Sequence, residues 1–438
     1  MKSLDRIPQS KVERVSKVLK MGAQVGGNYV KYFGDRIMNN EKEARDRLNA
    51  ANAEDIYNGL SELKGSALKM AQMLSMDDGV LPKEYVEKFS LAQFNVPPLS
   101  GPLAERSFKK ALGIKTNEAF TRFDPNSSYA ASIGQVHQAW IDDRKYAVKI
   151  QYPGVAESVL SDLGMIKPIA LRMFSLKEEE VEDYFKEIQN KLLEETDYTK
   201  EAESLKEVRE TAKCIPNLRI PYVQNNLSGK SVLTMEWIAG DHLSEFARRE
   251  LNIQYRNKIA QTLWDFYLYH IHKHRKVHAD PHPGNYKVTK KNELAVLDFG
   301  CMKEIPEDFY RSFFKLAELK YVEEDNLFLE TLRDLAVLNS HDSVEDIELI
   351  KTTFREMLTI INQPFQHEQF DFSDPSYYKK QLYLGSQMKD NKALKQLKGK
   401  RGSRHFLYVN RTLIGLLGLM NSLNAGPVRV SNYENLMR

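Results

Sequence analysis

An α+β fold is what this sequence predicts, and three observations carry the prediction. In His278-Ala279-Asp280-Pro281-His282-Pro283-Gly284-Asn285 an acid is followed five positions later by asparagine. A strand-like Leu294-Ala295-Val296-Leu297 then runs into Asp298-Phe299-Gly300. Upstream, Ala147-Val148-Lys149-Ile150 places a lysine on a strand just after a small-residue loop, and before residue 100 helical periodicity dominates. Kinases space a catalytic loop, a metal-binding strand and a phosphate-holding lysine in this way. The architecture expected is therefore protein-kinase-like and two-lobed: an N-terminal helical extension over 1–100, a first lobe over 101–240 and a helical second lobe over 241–438.

At 438 residues the chain is too long for one compact core. Charged residues at 28% and hydrophobic residues at 42% describe an ordinary globular chain, and a net charge of +3 gives no reason to expect nucleic-acid binding. Cys214 and Cys301 are far apart in sequence and form no Cys-x-x-Cys, which suits a reducing compartment. Met1 to Gln9 is polar and lacks the apolar core of a signal peptide, and the apolar run Leu413 to Met420 is too short to span a bilayer. A cytoplasmic protein, with membrane contact that is at most peripheral to the inner face, is the expectation.

From Lys11 to Phe33, Val15, Val18, Leu19, Val25, Tyr29, Val30 and Phe33 fall close to one helical face, beside a basic stripe of Lys11, Arg14, Lys17 and Lys20. Such a helix can dock on its own domain or lie on anionic lipid. A second helical block is expected over Ala51 to Met76, and a further one restarts at Leu81-Pro82-Lys83 and fades toward Val96-Pro97-Pro98.

Beyond that break, Tyr129-Ala130-Ala131-Ser132-Ile133-Gly134 and the residues to Trp140 read as strand, small-residue turn, strand. Ile141 to Arg144 is a hairpin tip, and a strand follows over Lys145 to Tyr152. Lys149 on that strand needs a carboxylate partner. The charged helical stretch Glu178 to Arg209 offers several, including Glu194, Glu195 and Asp197, and composition does not choose among them. Val232 to Ile238 is a buried-strand pattern that leads to a hinge at Ala239-Gly240-Asp241, with the backbone after Met235, at Glu236, facing adenine. Asn252 to His274 is an apolar-striped helix leading into the catalytic loop.

ATP carries its phosphates on magnesium, a hard cation that takes oxygen ligands. Asp298 supplies a carboxylate and Asn285 a side-chain carbonyl, which leaves Asp280 to orient or deprotonate an attacking hydroxyl. Pro281 and Pro283 exclude a helix between them. They also break the helix that would bring His274, His278 and His282 to one face, and no His-Glu-x-x-His is present, so zinc held by His272, His274, His278 and His282 is not expected.

These motifs, in this order from Arg6 to Glu304, resemble the UbiB/AarF atypical kinase-like family, whose mitochondrial relatives support coenzyme Q biosynthesis. Lys69-Met70-Ala71-Gln72 is similar to the family's Lys-x-Gly-Gln segment, with Ala71 where the family has glycine. The resemblance implies that this helical extension folds over the active site and inhibits, which makes Lys69 and Gln72 regulatory. Tyr129-Ala130-Ala131-Ser132 resembles the family's alanine-rich nucleotide loop, and Glu195-Thr196-Asp197 its Glu-x-Asp motif. By that match Glu195 is the expected partner of Lys149 and Asp197 a further regulatory position. Implied with them are ATP or ADP and Mg2+, slow ATPase activity or phosphorylation of a small or lipid-linked substrate, and a lipid or quinone-precursor ligand.

After Glu304, Phe309, Tyr310, Phe313, Phe314, Leu316 and Leu319 suggest the core of the second lobe. Lys392, Lys395, Lys398, Lys400, Arg401 and Arg404 form a basic cluster, either a solvated loop or an attraction for anionic lipid. Two functions follow from the residues. One is a phosphotransferase or ATPase built on Asp280, Lys149 and Glu195. The other is a pseudokinase whose nucleotide occupancy switches lipid or partner binding.

Overall fold

The computed structural model describes residues 11–38, 40–75, 82–90, 98–130, 133–173, 178–391, 393–394, 397 and 401–431. Two units divide the chain, Met1–Glu203 with Val223–Trp237 and Ser204–Tyr222 with Ile238–Arg438. The expected positions Ala131, Ser132, Lys392, Lys395, Lys398 and Lys400 lie outside the described residues.

Four helices open the first unit: Lys11–Met38 (α1), Glu41–Leu63 (α2), Gly65–Ser75 (α3) and Lys83–Ser90 (α4). They are followed by Gly101–Leu112 (α5), Thr116–Ala119 (α6) and the strands Arg122–Ala130 (β1), Gly134–Ile141 (β2) and Arg144–Gln151 (β3). Val155–Met173 (α7) and Glu178–Glu195 (α8) come next, and Tyr198–Thr211 (α9) begins in this unit and ends in the second. The block expected as one helix over Ala51 to Met76 is broken at Lys64, whose φ of 50° ends α2 and redirects the chain into α3. Likewise Glu178 to Arg209 is two helices, parted at Thr196-Asp197, where Asp197 Oδ1 accepts the Thr199 N–H at 3.1 Å and caps α9.

Helix α1 turns a different face to the protein from the one its apolar spacing suggests. Val18 and Met21 are buried and Val25 packs beside them, but Leu19, Val30 and Phe33 are 69%, 73% and 60% exposed. Arg14, a member of the basic stripe, is buried: its Nε and Nη2 lie 2.7 and 2.5 Å from the two Asp162 oxygens on α7, and Nη1 donates to the Leu63 carbonyl at 3.0 Å. Ser66 also donates to Asp162 and shares a hydrogen bond with Ser158. A guanidinium so fully paired can leave water, and its fork-on-fork contact with Asp162 sets the geometry of α1 against α7. Around it Ile56, Leu60, Leu68, Met70, Tyr85, Val159, Leu163, Ile188 and Leu192 close one apolar cluster.

The sheet of this unit has the order β1-β2-β3-β5, all antiparallel, with β5 running Val232–Glu236. A tight turn at Asp142-Asp143 joins β2 to β3 where the hairpin tip is expected, and Lys149 pairs with Val136 on one side and Leu233 on the other. Val148 and Ile150 point into a second apolar cluster with Phe108, Phe120 and Ala139, so the pleat sends Lys149 to the opposite face.

In the second unit a small sheet has the order β4-β9-β8-β6, formed by Leu218–Arg219 (β4), Asp241–His242 (β6), Tyr286–Val288 (β8) and Leu294–Val296 (β9). Lys276–His278 (β7) pairs with Met302–Glu304 (β10). The helices are Leu243–Arg249 (α10), Ile253–His274 (α11), Glu307–Lys315 (α12), Leu319–Glu323 (α13), Asp325–Asp334 (α14), Val344–Ile361 (α15), Pro375–Asp390 (α16) and Arg404–Ser422 (α17). Phe309, Tyr310, Phe314 and Leu316 belong to its core, together with Ile271, Phe328, Leu332, Val409 and Leu413. Arg401, expected in the basic cluster, is tied to Asp342 at 2.6 and 2.8 Å. Among the described residues no helix is long and apolar enough to cross a membrane.

Candidate functional site

Lys149 donates to both oxygens of Glu201, at 2.9 and 2.8 Å, and its Nζ lies 4.9 Å from the centre of the Tyr198 ring. Glu201 stands in the first turn of α9 and is buried. The partner expected for Lys149 was Glu195; the structure corrects this, because Glu195 ends α8 and lies 2.9 Å from Lys69 of α3. The break at Thr196-Asp197 explains the difference, since it sets the two glutamates on separate helices that address different lysines. A signal for Glu201 exists in the sequence. Tyr198, Ala202, Leu205 and Val208 recur as a buried helical stripe, and Glu201 falls inside it, an acid where only a paired one is stable.

At the start of β2 only glycine fits position 134. A β-carbon there would meet the Tyr198 hydroxyl at 2.6 Å and the Ile150 carbonyl at 2.8 Å. Ala130 ends β1 and pairs with Gln135. Glu236 ends β5 opposite Tyr146. Beside it Trp237 takes the Lys145 ammonium over its ring at 4.4 Å and stacks with Tyr129. Gln72 lies on α3 with Lys69, its side chain outside the description.

In the second unit the Pro-rich loop brings Asp280 and Asn285 together. Asn285 Nδ2 donates to the Asp280 carbonyl at 3.1 Å and to its Oδ2 at 3.0 Å. His278 Nε2–H donates to the Asp298 carbonyl at 2.7 Å, and Ala279 N–H to the Cys301 carbonyl at 2.8 Å, which fastens the loop to the Asp-Phe-Gly turn. Asp298 Oδ1 accepts the Gly300 N–H at 2.9 Å. Phe299 is buried edge-on against the His278 ring.

This donor set fits a hard cation. With its amide nitrogen committed to Asp280, Asn285 has its Oδ1 for a metal, and Asp298 brings a carboxylate steadied at one oxygen. Among the described residues no three His, Cys, Asp or Glu side chains gather as a metal cage. Mg2+ does not need one, since it keeps waters and takes substrate phosphates beside one or two protein oxygens. The nearby histidines serve packing: burial pulls His270 down to about 4 and His272 to about 3, so both are neutral, and His272 Nδ1 meets the Tyr310 hydroxyl at 2.8 Å.

Residues 91–329, more than half of the chain, match the ABC1 atypical kinase-like domain. The chain is 29% identical over 381 residues to the mitochondrial atypical kinase COQ8 of Saccharomyces cerevisiae, covering 84% of this chain and 74% of that protein. Over 334 residues it is 29% identical to the mitochondrial atypical kinase COQ8B of Danio rerio, covering 75% of this chain and 53% of the relative. A chloroplastic aarF domain-containing protein kinase of Arabidopsis thaliana is 30% identical over 307 residues, with coverages of 68% and 42%. The chain thus spans about half the length of the latter two relatives. Its fold is similar to that of Rv3197 from Mycobacterium tuberculosis, solved in complex with erythromycin. The TM-score is 0.60 at 25% identity, over 90% of this chain and 98% of that one.

Proposed function

This chain belongs to the ABC1 atypical kinase-like family, and from that premise we propose that it binds ATP or ADP with Mg2+ and works as a slow ATPase or as a phosphotransferase toward a small or lipid-linked acceptor. The observation that carries the reading is the two-oxygen pair of Lys149 with Glu201. A buried carboxylate keeps the lysine charged and aimed, as a lysine that grips nucleotide phosphates must be. Asn285 and Asp298 are the residues to hold Mg2+, which when bound neutralises charge on the phosphates. Asp280, steadied by Asn285, orients the attacking hydroxyl or water and takes its proton. The names of the COQ8 relatives support a role in isoprenoid quinone metabolism, and a role in membrane lipid metabolism belongs to the same reading.

A nucleotide-switched binding module is the second reading, favoured by the Lys69–Glu195 pair, which ties the extension to α8. Peripheral membrane contact is supported by α1, where Leu19, Val30 and Phe33 stand exposed near Lys20 and Lys31. One experiment addresses these readings: phosphate release from MgATP by the full chain, with and without vesicles of anionic lipid, beside Asp280→Asn. Turnover lost in Asp280→Asn supports the catalyst, and a rise with vesicles supports membrane contact. Nucleotide binding without turnover above Asp280→Asn selects the switched module.

A further inference from the structure

Helix α17 lies beyond the residues that match the family domain, yet it touches the catalytic loop at three points along one face. Arg411 Nη2 is 3.9 Å from Asp280 Oδ1. Thr412, fully buried, donates its hydroxyl to the His278 carbonyl at 3.4 Å. Gly415 sits against Pro281 so closely that a β-carbon would lie 2.1 Å from the proline Cγ. These contacts fall on His278, Asp280 and Pro281, the start of the loop that carries the proposed base, whereas Asn285 holds Asp280 from the loop's other end.

We infer that Arg411 is a positioning residue for Asp280, and that the Arg411, Thr412 and Gly415 face of α17 is the rigid backing of the loop. The inference rests on the phosphotransferase or ATPase reading above. The loop 278–285 contains no lysine or arginine of its own, so a cation beside Asp280 has to come from elsewhere in the chain. Arg411 supplies it at ion-pair distance, with both side chains about one-third exposed. At 3.9 Å the guanidinium attracts the carboxylate electrostatically. Asn285 bonds Oδ2 and Arg411 lies toward Oδ1, so the two side chains flank the carboxylate. Thr412 and Gly415 hold the helix at that depth, because a larger residue at 415 would push α17 off Pro281.

The test uses Arg411→Gln and Arg411→Lys in the full chain, with the exposed neighbour Ile414→Ser as control. Two quantities are read: MgATP hydrolysis resolved into kcat and KM, and amide hydrogen exchange of the 278–285 segment in nucleotide-free protein. Arg411→Gln is expected to lower kcat roughly ten- to hundredfold at unchanged KM. It should also speed exchange in the loop, with Arg411→Lys recovering part of both effects and Ile414→Ser neither. An Arg411→Gln protein that matches wild type in kcat and in loop exchange overturns the inference. If wild type itself turns over no faster than Asp280→Asn, the catalytic reading fails, and the positioning role falls with it even where exchange shows α17 backing the loop. If wild type turns over and Arg411→Gln is normal, only the inference fails.

Discussion

Glu201 holds Lys149 through both of its carboxylate oxygens. Nucleotide affinity should therefore follow position 201 rather than 195. Glu201→Gln is expected to weaken MgATP binding about tenfold, equivalent to about 1.4 kcal/mol, and to shrink the thermal stabilisation that nucleotide confers. Glu195→Gln should leave that stabilisation close to wild type. Equal losses in the two variants, read by thermal melts with and without MgATP, would return the role to Glu195.

The Arg14–Asp162 pair fastens the first helix to α7. Arg14→Ala strands a buried carboxylate, and removing one partner of such a pair costs about 3–5 kcal/mol. The double variant Arg14→Met with Asp162→Leu should recover much of that. Urea unfolding of the single and double variants gives the coupling directly, and additive losses would show that the pair does not act as a unit.

Gly134→Ala should destabilise by about 1–3 kcal/mol, the range for overpacking, because both nearest atoms, the Tyr198 hydroxyl and the Ile150 carbonyl, sit on ordered elements. Denaturant midpoints check this. A variant of wild-type stability would mean that the Tyr198 hydroxyl and the Ile150 carbonyl give way freely.

Buried, neutral His272 links stability to pH. Its folded pKa of about 3 lies below the ordinary 6.5, so the unfolded chain binds the proton first as pH falls. Its contribution is complete above 6.5 and is lost progressively between there and about 3, at up to about 1.4 kcal/mol per pH unit. His272→Phe should flatten the fall in unfolding free energy between pH 7 and pH 5 relative to wild type. An unchanged slope would assign the loss to other groups.

Part of this arrangement was legible as spacing. Asp280 and Asn285 come together because the prolines leave the backbone few choices, Asp298 is tied to the same loop through its carbonyl, and Lys149 is placed by an alternating strand whose turn is two residues long. The pairing of charges was not legible. Which acid meets Lys149 depends on a helix break at Thr196-Asp197, and on a stripe in which Glu201 stands among Tyr198, Ala202 and Leu205. Arg14 gives no local sign of burial, because its partner is 148 residues away. Arg411 is hidden for the same reason, in a helix whose apolar run announces a core and not the loop behind it.

The two-residue turn at Asp142-Asp143 has a consequence for how this chain can change length over evolutionary time. Lys149 and the buried pair Val148 and Ile150 occupy opposite faces of one strand, so a codon gained or lost between Arg144 and Lys149 would turn the lysine into the apolar cluster and Val148 out of it. Lengthening at the turn itself leaves every later residue on its own face. Natural variation in this hairpin should therefore collect at its tip, with indels inside β3 purged because they would displace Lys149 from its face.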